Sequence, residues 1–266
     1  MRRIIQEIQT IYRTARALSR SRIHACVLFV QIFCIIVAGK FFKISPKPLY
    51  LYFNKTSFIF YINSRVDVAA LEEIFAKKEY GFAYAEALGK MPSVILDLGA
   101  NIGDSSVFYA TLFPEAKIYA IEPNPLVHDK LQLNTAAFKN IQIRKCAIGN
   151  KTQKITFYLG ASHLGSSLKK RQQNTKEIEV GLVALTDFLA AEGLQHVDIL
   201  KFDIEGGEED LLKDVAMKDK VGVFIGEMHD DLTSVPTRGL VENIPAEILQ
   251  VCTLTPTRNI TVARSV

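Results

Sequence analysis

A regular alternation of short apolar strands and amphipathic helices begins at Val94 and limits the folds open to this chain. The strand-like runs are continuously apolar, as expected for strands buried on both faces, and segments of helical period separate most of them. In order, these runs are VILDL, KIYAIE, IQIRKCAI, VDILKFD, VGVFIGE, EILQVCTLT and NITVARSV. The pattern predicts an α/β fold with a mostly parallel sheet covered by helices and closed by antiparallel strands.

The first 45 residues depart from this pattern because they are basic and apolar. Residues 1–22 contain six Arg and one acidic residue, a net charge of +5, so the rest of the chain contributes −1 to the total of +4. Apolar residues recur there at helical spacing, which predicts a basic amphipathic helix. The apolar run from Ile23 to Gly39 has 17 residues, and a membrane span needs about 20. Three alternatives stay open: a span, a helix lying in the membrane interface, or a packing helix of the soluble fold.

Residues 46–92 form a connecting region. LYLYFN and SFIFYI have the composition of a β-hairpin, and VDVAALEEIFAKKEY has helical period with Asp67 as the predicted N-cap. The predicted organisation is therefore an N-terminal segment (1–45), this connecting hairpin and helix (46–92), and a main domain (93–266).

Charge and cysteine usage narrow the functional classes. The basic excess belongs to residues 1–22 alone, whereas a nucleic-acid-binding domain spreads Lys and Arg over its folded surface, so no nucleic-acid partner is predicted. The four cysteines are far apart and include no C-x-x-C pair. This spacing predicts neither a zinc site nor a disulfide framework and favours the reducing cytoplasm.

The turn after the first strand, residues 97–103, has the composition of a ligand-binding loop. Gly99 lets the backbone turn sharply and approach a ligand, and Gly103 permits close packing where a helix begins. The G-x-x-x-G spacing is not the dinucleotide fingerprint, and glycine in such turns also has a purely steric explanation. The next strand ends at Glu122, whose carboxylate could accept hydrogen bonds from both hydroxyls of a ribose. The alternative is a solvated acid in a loop.

A second group of polar residues ends the fourth and fifth strands. Alternation places Lys201, Asp203 and Glu205 on one side, beyond the carboxyl end of the sheet, where parallel α/β folds bind ligands. A carboxylate there could remove a proton or hold a divalent ion, and Glu227 or His229 could supply a base or a third ligand. The alternatives are a structural ion pair of Lys201 with Asp203 and an ordinary loop histidine.

Two neighbouring segments carry less specific signals. Residues 149–185 interrupt the alternation with two strand-like runs around a Ser/Gly/His loop, which predicts a hairpin that could cover an acceptor site. The segment KKRQQN, which begins at Lys169, is predicted to be a solvated turn. The acidic residues 208–210 are predicted to form the first turn of a helix.

Together these motifs resemble the FkbM family of S-adenosylmethionine-dependent methyltransferases. The motifs, in order, are D-x-G-A-N-x-G at 97–103, I-E-P at 121–123, A-I-G at 147–149, S-S-L at 166–168 and K-x-D-x-E-G at 201–206. The resemblance extends from about residue 65 to residue 229. It implies a Rossmann-like seven-stranded methyltransferase sheet and O-methylation of a sugar, glycan or secondary-metabolite hydroxyl.

The resemblance also implies which residues act. The cofactor, S-adenosylmethionine, would be bound by Asp97, Gly99, Asn101, Gly103, Glu122, Cys146 and Ala147. The candidate catalytic residues are Lys201, Asp203, Glu205 and His229. No resident metal is predicted, although the carboxylates could hold a divalent ion.

The expected acceptor is a small molecule or a glycan, and the expected location is the cytoplasm. If residues 1–39 contact a membrane, an interfacial helix is preferred, because a span would carry the domain away from cytoplasmic S-adenosylmethionine. Deletion of residues 1–39 is then expected to leave cofactor affinity intact. One alternative is a non-catalytic binding module, suggested by the short region after His229. A nucleotide-dependent oxidoreductase is disfavoured, because the loop lacks a third glycine and no Y-x-x-x-K relay is present in context.

Overall fold

The computed structural model describes residues 2–80, 89–160, 166–171, 174–214, 219–234, 246–255 and 258–265 of the 266-residue chain. The helices are α1 (Arg2–Ala17), α2 (Arg22–Phe41), α3 (Arg65–Leu71), α4 (Asp104–Leu112), α5 (His128–Thr135), α6 (Leu185–Ala191) and α7 (Glu208–Leu212). A π-helical turn, Glu72–Ala76, continues α3. The strands are β1 (Lys47–Phe53), β2 (Thr56–Ile62), β3 (Val94–Leu98), β4 (Lys117–Ile121), β5 (Ile141–Arg144), β6 (Ala147–Gly149), β7 (Gln153–Gly160), β8 (Asn174–Ala184), β9 (Val197–Phe202), β10 (Val221–His229), β11 (Ala246–Thr255) and β12 (Arg258–Ser265).

Seven strands form the central sheet, in the order β11-β12-β10-β9-β3-β4-β5. Six of them run in one direction, and β12 is antiparallel to both of its neighbours. The predicted Rossmann-like sheet with an antiparallel closing strand is confirmed. Chain order reverses at β3, which lies between β4 and β9, so the crevice of the fold lies above the carboxyl ends of these three strands.

The prediction of one continuous strand over IQIRKCAI is wrong, because the segment forms two strands, β5 and β6, in two different sheets. The chain leaves the central sheet after Arg144, whose carbonyl accepts the last ladder hydrogen bond from the Glu122 N–H (3.0 Å). Because β4 has ended there, the next residues find another partner: Ala147 pairs with Leu182 in a three-stranded side sheet ordered β6-β8-β7. This turn brings Cys146 and Ala147 back over the crevice.

The connecting region forms the predicted hairpin and helix, but the N-cap of the helix is Ser64, not Asp67. The Ser64 backbone is extended, so its hydroxyl accepts from the Asp67 N–H (3.2 Å), while the Asp67 carboxylate accepts from the Ser64 N–H (3.1 Å). This reciprocal pair is a capping box, in which the acid stands at the third helical position. Asp67 also pairs with Lys130 of α5 at 2.8 Å, which ties α3 to the main domain.

The N-terminal helices share the core of the main domain. Ile11, Leu18, Leu28 and Ile32 belong to one apolar cluster that also contains side chains from the hairpin, from α4 and from the central sheet. The Leu18 carbonyl accepts from the Tyr52 N–H (2.9 Å) of β1. Among the described residues, α2 is the one helix long and apolar enough to cross a membrane, yet one of its faces is buried in this core.

This packing predicts a specific stability difference within α2. Leu28 is 1% exposed, and truncation of a buried leucine to alanine costs about 2–5 kcal/mol. Val27, the neighbouring residue, is 49% exposed, and its truncation should cost under about 1 kcal/mol. Urea unfolding of Leu28→Ala and Val27→Ala measures both values. Equal values would show that α2 does not pack in solution, and deletion of residues 1–39 would then leave the fold intact.

Candidate active site

The loop between β3 and α4 is compact because three of its residues have left-handed backbones: Gly99, Asn101 and Gly103, with φ of 75°, 48° and 91°. A Cβ on Gly99 would lie 1.9 Å from the carbonyl oxygen of Asp203, so this position requires glycine. A Cβ on Gly103 would meet Leu131 and Thr135 of α5 at 3.0 Å. Gly99 therefore lets β3 and β9 approach each other, and Gly103 lets α5 pack against the start of α4.

Asp97 and Lys201 form a buried ion pair behind this loop. Their charged atoms are 3.2 Å apart, and the Lys201 ammonium also donates to the Gly99 carbonyl (3.0 Å). Ser105 and Ser106 donate to the other Asp97 oxygen. Burial lowers the pKa of Lys201, but the surrounding carboxylates, Asp97 first, outweigh that effect and raise it. The pair fixes the loop from inside, and neither side chain lines the crevice.

Glu122 holds the opposite side of the loop. Its two carboxylate oxygens accept from the backbone N–H groups of Asn101 (2.9 Å) and Asn124 (2.7 Å). Burial raises the pKa of Glu122 to about 7, even though these two hydrogen bonds lower it. Each carboxylate oxygen has a second lone pair, and Glu122 lines the crevice, so a vicinal diol bound there could donate to both oxygens.

The crevice contains about 650 Å³ of space, including the part open to solvent. It is lined by the ends of β3, β4 and β9, by residues 146–148, and by Phe157, Ser166 and Leu168 of the side sheet and its loop. Among the described residues, every charged side chain in this lining is a carboxylate: Glu122, Asp203 or Glu205. Such a lining favours a cationic ligand and disfavours a phosphate.

Asp203 and Glu205 face the cavity just beyond β9. Glu205 has a left-handed backbone, with φ of 50°, which is uncommon for a residue with a long side chain. Burial raises the pKa of Asp203 to about 6 and that of Glu205 to about 7. Arg171 lies 2.8 Å from a Glu205 oxygen, so part of the segment predicted as a solvated turn belongs to the site.

His229 lies beneath these two carboxylates in a buried network. Its Nδ1 is 2.7 Å from Glu208, and its Nε2 is 3.3 Å from Glu227 and 3.5 Å from Glu205. Burial lowers the pKa of His229, but hydrogen bonds to Glu208 and Glu227 outweigh it and raise the pKa to about 11. His229 is thus an imidazolium that holds acids in place. Glu208, predicted to be part of a helix's first turn, begins α7 and is fully buried.

Glu227 links this network to Tyr80, which lies outside the sheet, and to Arg258 on the neighbouring strand β12. It accepts from the Tyr80 hydroxyl (3.0 Å) and pairs with Arg258 of β12. Burial raises its pKa, but hydrogen bonds from His229 and Arg258 outweigh that and lower it to about 2. Glu227 therefore stays ionised and is a poor proton acceptor near neutral pH.

Asp203, Glu205 and His229 offer ligand atoms within 4.8 Å of one another, so all three could contact one divalent ion. Arg171 lies against the same group, 2.8 Å from a Glu205 oxygen, so a divalent ion would share Glu205 with its guanidinium. That no metal is resident stays a prediction.

The structure brings most of the predicted site residues to one cavity. Those that line it are Gly99, Asn101, Glu122, Cys146, Ala147, Asp203 and Glu205. Those that support it from behind are Asp97, Gly103, Lys201 and His229. The predicted hairpin is present as β7 and β8. The Leu168 N–H, in the loop that joins these strands, donates to the Glu205 carbonyl (3.1 Å). Residues 161–165 of the same loop lie outside the described part of the chain.

Known proteins provide an independent comparison with this chain. Residues 97–236 match the family profile described as the Methyltransferase FkbM domain, which is more than half of the chain. Methyltransferase sdnD of Sordaria araneosa is 29% identical over 183 residues, covering 56% of this chain and 71% of that protein. Methyltransferase 1 of Beauveria bassiana is 30% identical over 169 residues, covering 54% and 68%. The 2-O-methyltransferase NoeI of Sinorhizobium fredii is 23% identical over 182 residues, covering 60% and 74%.

Proposed function

Since this chain belongs to the FkbM family of methyltransferases, we propose that it transfers the methyl group of S-adenosylmethionine to a hydroxyl of a sugar, glycan or secondary metabolite. The observation that carries the proposal is the cavity in which Gly99, Glu122 and Asp203 meet. These residues end three different strands, and all three line that cavity.

The residues of the cavity fit S-adenosylmethionine. Glu122 would accept the ribose hydroxyls, and Gly99 leaves the loop backbone open to the methionine part. Burial raises the pKa of the Cys146 thiol to about 11, so Cys146 is neutral and would contact the adenine together with Ala147. When bound, S-adenosylmethionine supplies an electrophilic methyl group on a sulfonium, and the carboxylate lining suits that positive charge.

The acidic residues beyond β9 would activate the acceptor. An in-line displacement needs an aligned acceptor oxygen and a group that takes its proton. Asp203 and Glu205 have pKa values of about 6 and 7, near neutral pH, where proton transfer is most effective. His229 and Arg171 orient these carboxylates, and Lys201 and Asp97 orient the loop opposite them.

The proposed class of acceptor is supported by the charge of the chain beyond residue 22 and by the name of one relative. The relative NoeI is named a 2-O-methyltransferase, and the chain beyond residue 22 has no excess of basic residues to hold a nucleic acid. A neutral polyhydroxyl compound therefore suits the cavity better than a polyanion.

Transfer of an isotopically labelled methyl group tests this function. The full chain is incubated with methyl-labelled S-adenosylmethionine and separate extracts of glycans, of small metabolites and of RNA, and the label is located by mass spectrometry. We expect an alkali-stable methyl ether in the glycan or metabolite fraction. Label in RNA, or binding of S-adenosylmethionine without transfer to any fraction, would contradict the proposal. The second result would favour the non-catalytic binding module.

Cofactor affinity should depend on pH and on the charge of the ligand. Burial raises the pKa of Asp203 to about 6 and of Glu205 to about 7, so both lose their protons as the pH rises from 5 to 8. A bound sulfonium favours their ionised forms, and affinity for S-adenosylmethionine should rise by about tenfold for each pKa unit by which it shifts them. S-adenosylhomocysteine, whose sulfur is a neutral thioether, is the matched control, and its affinity should change less over the same pH range. Calorimetric titrations measure the affinity of both ligands from pH 5 to pH 8. The same pH dependence for the two ligands would show that no carboxylate faces the sulfur.

A further inference from the structure

The N-terminal helices carry a concentrated apolar surface. Of the sixteen large hydrophobic residues that are exposed in the described part of the chain, eleven lie between Ile4 and Phe42. Single exposed apolar residues are normal on any protein, but a contiguous group of this kind marks an interaction site. The following residues make up this surface, here called the apolar face: Ile4, Ile5, Ile8, Tyr12, Ile23, Val27, Val30, Phe33, Val37, Phe41 and Phe42.

The two helices present this face together. A groove between them is lined by Tyr12 and Arg16 of α1 and by Cys26 and Val30 of α2, so the exposed stripes of the helices adjoin. At the other end, Glu7 of α1 is 3.2 Å from the Lys40 ammonium of α2, which shows that the helices run antiparallel. The apolar face is therefore one surface along both helices.

Positive charges flank the apolar face at both ends. Arg16, Arg20 and Arg22 are exposed around the turn between the helices, and Lys40 and Lys43 are exposed where α2 ends. Apolar side chains with flanking Arg and Lys are typical of helices that lie in the interface of an anionic bilayer, where each basic residue adds to the attraction.

We propose that the apolar face docks this protein, in the plane of the membrane, on a bilayer that contains anionic lipids. The buried side of α2 excludes a span in this fold, because Leu28, Ile32 and Ile36 are taken up by the protein core. A second copy of the chain is a poorer occupant, since a symmetric pair would bring the basic ends together. The proposal is independent of the methyltransferase reaction.

Vesicle co-sedimentation of the full chain tests the docking. The two vesicle types are phosphatidylcholine alone and phosphatidylcholine mixed with phosphatidylserine. We expect binding to the second type only, and weaker binding at high salt, because salt screens the charge attraction. The double variant Ile23→Ser/Phe41→Ser removes apolar side chains that are 80% and 75% exposed, and its affinity should fall by at least about tenfold.

The matched control changes exposed apolar residues elsewhere. In Met91→Ser/Leu126→Ser the lost side chains are 64% and 71% exposed, and vesicle binding should match the unchanged chain. Equal binding by the two double variants, or no binding to anionic vesicles, overturns the proposal. Self-association in sedimentation equilibrium that is lost only in Ile23→Ser/Phe41→Ser assigns the face to a second copy. Resistance of the bound protein to alkaline carbonate extraction assigns α2 to a span.

Discussion

Replacement of Gly99 with alanine should greatly weaken cofactor binding and slow methyl transfer by about 100-fold or more. The new Cβ would lie 1.9 Å from the Asp203 carbonyl oxygen, in a residue whose φ is 75°. Relief of this clash must separate the loop after β3 from the end of β9 by about 1 Å, and a misplacement of that size can cost about 100-fold in rate. The left-handed backbone adds about 1–2 kcal/mol of strain. Affinity for S-adenosylhomocysteine and the rate of label transfer measure the loss.

Gly193→Ala is the matched control for this substitution. Gly193 has a similar φ of 66°, but a Cβ there would meet no atom within 4 Å. Its alanine variant should therefore lose the same 1–2 kcal/mol of stability and keep full cofactor affinity. If Gly99→Ala also keeps that affinity, the approach of the two strands is not part of the binding site.

Asp203→Asn should lower the rate of methyl transfer by about 100-fold to 10,000-fold, the usual contribution of a positioned general base. Affinity for S-adenosylhomocysteine should change little, because its thioether is neutral and the amide occupies nearly the volume of the carboxyl group. Asp129→Asn, at an exposed position in the first turn of α5, is the control and should keep the full rate.

The same variant has a stability signature with a definite sign. Because burial raises the pKa of Asp203 from 3.8 to about 6, its contribution to folding is present at acid pH and is lost as the pH rises through 6. Without ligand, Asp203→Asn should therefore have a higher melting temperature than the unchanged chain at pH 8, and no advantage near pH 4. A full rate in this variant would exclude Asp203 as the base and leave Glu205 as the candidate, and an unchanged melting curve would contradict the raised pKa of Asp203.

The central sheet could be predicted because its strands are buried on both faces. Continuous apolar runs such as VILDL and VDILKF admit few other folds once helices of regular period separate them. The change of sheet after Arg144 could not be predicted, since an apolar run does not show which strand it pairs with. The orientation of α2 could not be predicted either. This helix is apolar on all sides, so the spacing of its apolar residues does not show which face packs against the core.

The cavity residues were predictable to the extent that they end strands. Gly99, Glu122 and Asp203 follow apolar runs directly, and parallel topology brings such ends together. The segment KKRQQN predicts a solvated turn, and residues 208–210 predict only the acidic first turn of a helix, so neither pattern places Arg171 or Glu208 in the site. Their place in the site depends on the packing of α7 and the side sheet over β9, and no local signal in the sequence encodes it.

Calorimetric titration of the full chain with S-adenosylhomocysteine tests most directly whether one nucleoside occupies the space between the three strand ends. We expect one site per chain, competition by S-adenosylmethionine, and greatly weakened binding in both Gly99→Ala and Glu122→Gln, with Gly193→Ala unaffected. Absence of binding to the folded chain, or binding that survives both substitutions, would contradict the assignment of this cavity.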